Sequence, residues 1–320
     1  VDFLKLIEKE IARQKFGTKP VSLYEPIRYI MSLGGKRMRP VLTLFAYSIY
    51  KGGAKSIVKY AAAVEAFHNF TLMHDDIMDK APIRRGKPTV HKKWNVNTAI
   101  LSGDVMLVKV YEQFTSLEPE LYKRTLSLFN RCAAEVCEGQ QWDMEFESRS
   151  NVTEGEYLNM IKLKTAVLLG FSLELGALLA RAPAADQKLL REFGVNIGIG
   201  FQLKDDLLDA FADPKKFGKQ VGGDIIANKK TFLLIKALER ATPKQKKELQ
   251  YWLSQKRFNK TEKVEAVKKV FTDLKIPQLT ERKIDSYFKK GFASLGKLSV
   301  QNEVQKKLEL FAKDLIVRQS

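Results

Sequence analysis

The chain has 320 residues, a formal net charge of +18 and 45% hydrophobic residues. That apolar share suffices for a large core, and no uninterrupted apolar run reaches membrane-spanning length, so stable membrane insertion is not expected. Two cysteines, Cys132 and Cys137, exclude a disulfide framework: five apart in one predicted helix, they fall on different faces, and without His or Cys partners they make no metal site. With no signal peptide at the start, the pattern fits a reducing, cytoplasmic setting. Much of the positive charge lies late, with 20 Lys and Arg against 9 Asp and Glu from Arg240 to Ser320. A solvated lysine surface, a pull on anionic substrates and nucleic-acid binding all fit such charge. The last lacks any reader module or aromatic–basic stripe, so no nucleic-acid partner is expected.

Apolar residues recur mostly at helical spacing and no segment alternates as a strand would, so residues 1–320 read as one all-α domain. The spacing predicts a short amphipathic helix over 2–16, with Asp2 as N-cap, and a second over 21–33. Gly34-Gly35-Lys36-Arg37-Met38-Arg39-Pro40 follows. Two glycines, three cations and a proline at a helix start are the parts of an anion site, for phosphate or diphosphate, though a helix C-cap with solvated basic residues fits too. An apolar helix covers 40–50, and a longer one covers 55–80. The longer helix ends in Asp75-Asp76-Ile77-Met78-Asp79. Asp75 and Asp79 share one face, while Asp76 is rotated off it by roughly 100°. Parallel carboxylates at that spacing repel unless a cation lies between them, and hard oxygen ligands with room for water suit Mg²⁺. His68, on the same face as Asp75, is either a hydrogen-bonded core residue or within reach of a diphosphate.

Pro82, Gly86 and Pro88 mark residues 80–89 as a loop that carries Arg84 and Arg85 close behind the aspartates. Arginine grips diphosphate oxygens bidentately, and neighbours on a loop can serve two different anions. Helices are predicted over 94–116, where Gly103 permits close helix approach, and over 118–148, where Asp143 is either a supporting acid or solvated. Thr153-Glu154-Gly155-Glu156 reads as a capping box for a helix running to about 180. That helix holds Lys164-Thr165 within apolar sequence, and a lysine there needs an anion. A helix over 185–212 carries Gln202 and a second motif, Asp205-Asp206-Leu207-Leu208-Asp209, 130 residues after the first. The two motifs are expected to face each other. Asp213-Pro214 ends the helix, and the glycine- and lysine-rich stretch 215–230 reads as a flap. Five shorter basic helices follow from Thr231, with no assigned chemistry.

Six aspartates, scattered cations, a broad apolar bundle and the lack of a nucleophile triad or nucleotide loop suit one reaction type. It is ionisation of a diphosphate ester with an apolar organic part, whose carbocation is shielded from water.

The motifs at 34–40, 75–79, 84–88, 164–165 and 200–209, with His68, Lys219 and Asn228-Lys229, resemble the trans-isoprenyl diphosphate synthases. This is the farnesyl and geranylgeranyl diphosphate synthase family of polyprenyl synthetases. Order and spacing agree from about residue 30 to 235. The resemblance implies an isoprenoid synthase-type helical bundle around a central apolar cavity, usually a homodimer. Isopentenyl diphosphate would sit on Lys36, Arg39, His68 and Arg85. The allylic diphosphate would meet Arg84, Lys164, Lys219 and Lys229, with Thr165 and Gln202 near the carbocation. Three Mg²⁺ would be shared by Asp75, Asp79 and Asp205, with Asp76, Asp206 and Asp209 supporting. The first motif lacks the two extra residues of typical bacterial farnesyl synthases. Phe70 and Thr71, five and four residues before Asp75, fit a cavity floor for C15–C20 products, leaning to geranylgeranyl diphosphate; Phe70 as plain core packing is the other reading. A longer-chain synthase, a terpene cyclase and a non-catalytic synthase subunit are the alternatives. Both intact aspartate motifs argue against the last two.

Overall fold

The computed structural model describes residues 2–212 and 222–317. Apart from one two-stranded hairpin, the regular elements among them are helices. By internal packing they form two groupings. One comprises Val1–Arg131, Phe171–Arg191 and Ser299–Leu308; the other comprises Cys132–Gly170, Glu192–Leu298 and Glu309–Ser320.

In the first grouping, Asp2 caps α1 (Phe3–Arg13) by accepting from the Lys5 amide. This helix ends sooner than expected, and the extended chain beyond it buries Phe16. α2 (Val21–Ser32) and α3 (Met38–Tyr50) flank the Gly34-Gly35 turn. A 3₁₀ turn, Ala54–Ile57, leads into α4 (Val58–Met78). α4 buries Tyr60 through Phe67 without a break, which suits a helix enclosed on all sides rather than one with an apolar stripe. It packs on α1, α3 and α6 (Val96–Phe114). Gly103 of α6 permits the close approach foreseen for it: a Cβ there would lie 2.2 Å from His74 Nε2. Phe67, Phe114, Phe129 and Phe171 join in a buried aromatic cluster.

One expectation changes here. The 80–89 loop contains an antiparallel hairpin, with Ile83 opposite Pro88 and Arg84 opposite Lys87. Arg85 (φ 52°) and Gly86 (φ 74°) supply the left-handed pair that a tight two-residue turn requires. The predicted 94–116 helix is α6, begun by Asn95, which caps it through the Thr98 amide; a short helix, α5 (Val90–Lys93), precedes it.

α7 (Pro119–Ser148) and α10 (Ala184–Phe211) each carry chain from one grouping to the other. In the second grouping, α8 (Glu154–Ile161) begins with the predicted capping box between Thr153 and Glu156. The helix then widens into a π turn over Lys162–Ala166 before α9 (Val167–Leu179). Gly139 of α7 fits against this turn, where a Cβ would lie 2.2 Å from the Lys164 amide nitrogen. Helices Phe232–Arg240, Pro243–Ser254, Lys260–Asp273, Ile276–Leu295 and Glu303–Val317 follow, matching the five predicted. Their core includes Leu233, Leu249, Val267 and Phe271. Within the expected flap, Gly223–Ile226 forms a helical turn, while Asp213-Pro214 and Lys219 lie outside the described residues. Both cysteines are free thiols. No described helix is long and apolar enough to cross a membrane.

Candidate active site

The first aspartate motif closes α4. The Asp79 amide donates to Asp75 O at 2.8 Å and ends the helix. Asp76 is buried, off the face shared by Asp75 and Asp79. Arg84 grips it with three bonds: Nε to each carboxylate oxygen at 2.9 Å, and Nη2 to Oδ1 at 2.8 Å. Arg84 Nη2 also stands 3.9 Å from Asp75 Oδ2. Its hairpin neighbour Arg85 turns elsewhere and donates to Gly34 O.

That bond brings Arg85 to the basic turn before α3. Lys36 there is exposed, while Arg39 is half-buried and reaches His68 Nε2 at 3.0 Å. A guanidinium only donates, so Nε2 accepts and this imidazole is neutral. Burial, then the charges of Arg39, Arg85, Arg84 and Arg37, hold the His68 pKa well below its ordinary value. The third cation of the turn does not join the expected anion cluster. Arg37 is buried and bonds Glu65 at 2.9 Å, Glu8 at 3.0 Å and Met31 O at 2.8 Å. Arg37→Ala should destabilise the protein by about 3–5 kcal/mol, because it strands the buried Glu65 carboxylate. An unfolding free energy from denaturant titration within about 1 kcal/mol of wild type, the order of an ordinary surface change, would refute this assignment.

Phe70 lies one turn below, half-buried, its ring 4.8 Å from that of His74 and 5.7 Å from that of Phe67. Thr71 is occupied by a hydrogen bond to His68 O.

In the second grouping, α7, α8, the π turn, α10 and the segment after Gly222 line an open cleft of about 130 Å³. Two hydrogen-bonded arrays meet there. In one, Asp143 Oδ2 lies 2.7 Å from Lys164 Nζ and 3.6 Å from Lys229 Nζ. The anion that Lys164 requires is thus internal, and Asp143 is engaged rather than solvated. Burial would raise the Asp143 pKa, but the two ammonium groups outweigh it and hold the carboxyl below its ordinary range. In the other array, Thr165 Oγ1 donates to Gln202 Oε1 at 3.1 Å, and Gln202 Nε2 donates to Asp206 Oδ1 at 3.0 Å. Tyr157 donates to the remaining Asp206 oxygen.

Lys164 and Thr165, adjacent in sequence, each serve one array from within the π turn. Neighbours on a helix point about 100° apart or slightly less, enough to divide the two side chains, and π turns recur at functional sites. Sequence reasoning missed Tyr157, a hydroxyl seven residues before Lys164 on a core helix, and Asp224 beyond Gly222-Gly223. The Asp224 amide donates to Asp209 Oδ2 at 2.9 Å. Burial first, then the carboxylates of Asp209, Asp143 and Asp205, push the Asp224 carboxyl up to about 6 against the pull of Lys229.

This crowding bears on the expected Mg²⁺. Among the described residues, no three His, Cys, Asp or Glu side chains converge to hold a metal unaided. The donor set is nevertheless oxygen only, and burial, reinforced by the neighbouring carboxylates, raises Asp224. Such a set fits a hard divalent ion that brings its own waters and a phosphate ligand.

A helical protein with two Asp-Asp-x-x-Asp helix ends, each beside paired cations, belongs to the class that handles diphosphate esters. The polyprenyl synthetase family model matches residues 20–272. The geranylgeranyl diphosphate synthase of Sulfolobus acidocaldarius is 38% identical over 304 residues, covering 92% of this chain and 90% of that protein. That of Methanosarcina mazei is 43% identical over 225 residues, covering 70% and 69%. A crystal structure of a geranylgeranyl pyrophosphate synthase superposes with a TM-score of 0.92 at 45% identity, over 99% of this chain and 97% of the other. The chain is a member of the polyprenyl synthetase family of all-α prenyltransferases.

Proposed function

We propose that the chain is a short-chain trans-prenyltransferase that condenses isopentenyl diphosphate with allylic diphosphates and forms geranylgeranyl diphosphate. The observation that carries this is the cleft in which the Lys164–Asp143–Lys229 array stands beside Thr165–Gln202–Asp206. One array is cationic and suits a leaving diphosphate. The other presents the Thr165 hydroxyl and the Gln202 amide oxygen, neutral dipoles that stabilise positive charge on carbon without trapping it covalently. The synthases among the relatives support the C20 product.

On this reading, Lys36, Arg39, His68 and Arg85 hold isopentenyl diphosphate. Neutral His68 orients Arg39 without adding repulsion between cations. Arg84, Lys164, Lys219 and Lys229 bind the allylic diphosphate, for which Lys164 and Lys229 exchange Asp143. Asp75, Asp79 and Asp205 would hold three Mg²⁺, with Asp76, Asp206 and Asp209 in support. The metal would supply electrostatic stabilisation to the departing diphosphate. As the allylic C–O bond breaks, Thr165 and Gln202 face the cation, and the isopentenyl double bond attacks it. The new bond leaves a proton that passes to the released diphosphate. Residues 1–320 act as one catalytic domain of a cytoplasmic homodimer.

The test is a product assay with Mg²⁺, labelled isopentenyl diphosphate and, separately, dimethylallyl, geranyl or farnesyl diphosphate. A C20 diphosphate is expected from each starter. Longer chains would overturn the product length, and no elongation from any starter would overturn the activity.

A further inference from the structure

Lys263, in the first turn of helix Lys260–Asp273, is fully buried and has no part in the proposed reaction. Its Nζ donates to Asn228 Oδ1 at 2.6 Å and lies 3.4 Å from Ile226 O. The same ammonium stands 4.2 Å from the centroid of the Phe258 ring. Asn228 is in the left-handed region, with φ 56°, and its Nδ2 donates to Leu253 O at 3.1 Å. The next residue is Lys229. Its amide donates to Asp224 O at 2.9 Å, and its ammonium reaches into the cleft toward Asp143.

A buried ammonium is costly unless it is fully bonded. The structure meets that cost with the Asn228 side-chain oxygen, the Ile226 carbonyl and the Phe258 ring face, and the first of these ties the residue before Lys229 to this helix. A left-handed Asn needs no such clamp for its own conformation, since Asn adopts it readily. What the clamp adds is a fixed direction for the chain that leaves Asn228.

We propose that Lys263 is a positioning residue: by clamping Asn228 it fixes Lys229 against the cleft and presets the cationic pair for a diphosphate. This rests on the reading of Lys229 given under the proposed function. Lys263 itself touches no substrate.

The test is a cycle of Lys263→Met, Lys229→Ala and the double variant. Steady-state KM for each substrate is measured, with calorimetric binding of inorganic diphosphate in the presence of Mg²⁺. Lys263→Met should raise the allylic KM and the diphosphate Kd about tenfold, leave the isopentenyl KM within about twofold, and add less than about twofold in the Lys229→Ala background. Equal rises in both KM values, additive effects, or no change would overturn the proposal. If Lys263→Met does not fold, Asn228→Gly keeps the left-handed backbone but removes the clamp. It should give the same selective rise, and wild-type values would overturn the proposal. The calorimetric cycle needs no turnover, so it still decides the matter if wild-type protein elongates no starter, a result that would instead defeat the proposed function.

Discussion

Asp205→Ala is expected to lower kcat/KM by about a thousandfold while leaving the fold intact. Metal-borne stabilisation of a departing diphosphate is worth several kcal/mol, and each 1.36 kcal/mol is tenfold in rate, so losing one of three carboxylate ligands costs about 4 kcal/mol. Asp205 is half-buried within α10, where alanine is a favourable helix residue. Asp75→Ala should behave alike, since Asp75 shares the outward face of α4 with Asp79. Asp76→Ala has a different cause and a different signature. It strands Arg84, so it should lower thermal stability as well as rate. Kinetics and circular dichroism on the three variants separate the two cases. Near-wild-type turnover in Asp75→Ala or Asp205→Ala would remove the metal-ligand assignment.

Phe70→Ala is expected to lengthen the product from C20 to C25. The change deletes one six-membered ring, similar in size to one five-carbon prenyl unit. Growth should then stop, because Phe67 packs 4.9 Å from Phe129 behind it, and both are buried. Phe70 is only half-buried, so the stability loss should fall below the 3–5 kcal/mol typical of a core Phe→Ala change. Chain lengths resolved by chromatography decide this. An unchanged C20 product would return Phe70 to ordinary core packing.

The all-α class was legible because helical signals are local. The Asp2 cap, the Thr153–Glu156 capping box, the face shared by Asp75 and Asp79, and the breaks between the last five helices all depend on residues within a turn of one another. What stayed hidden depends on partners far along the chain. Counting three cations after Gly35 does not show that Arg37 meets Glu65, 28 residues later. Lys164 announced its need for an anion, but not that Asp143 meets it from α7. Tyr157 carries no local signal for its role, because Asp206, the partner of its hydroxyl, is 49 residues away. The Arg85-Gly86 turn was marked by its glycine, yet the pairing it enforces was read as plain loop. Lys263 sat among surface-like lysines, and only burial sets it apart.

The π turn over Lys162–Ala166 holds one residue more than an ordinary helical turn. Deleting a residue there would restore an ordinary coil and leave the two flanking helices nearly in phase, because the extra residue is taken up within the turn. What would shift is the turn itself. Tyr157, upstream, would stay on Asp206, whereas Thr165, inside the turn, would be displaced from Gln202 by a deletion just ahead of it. Chain length at this point therefore aims two side chains without re-aiming the helices on either side.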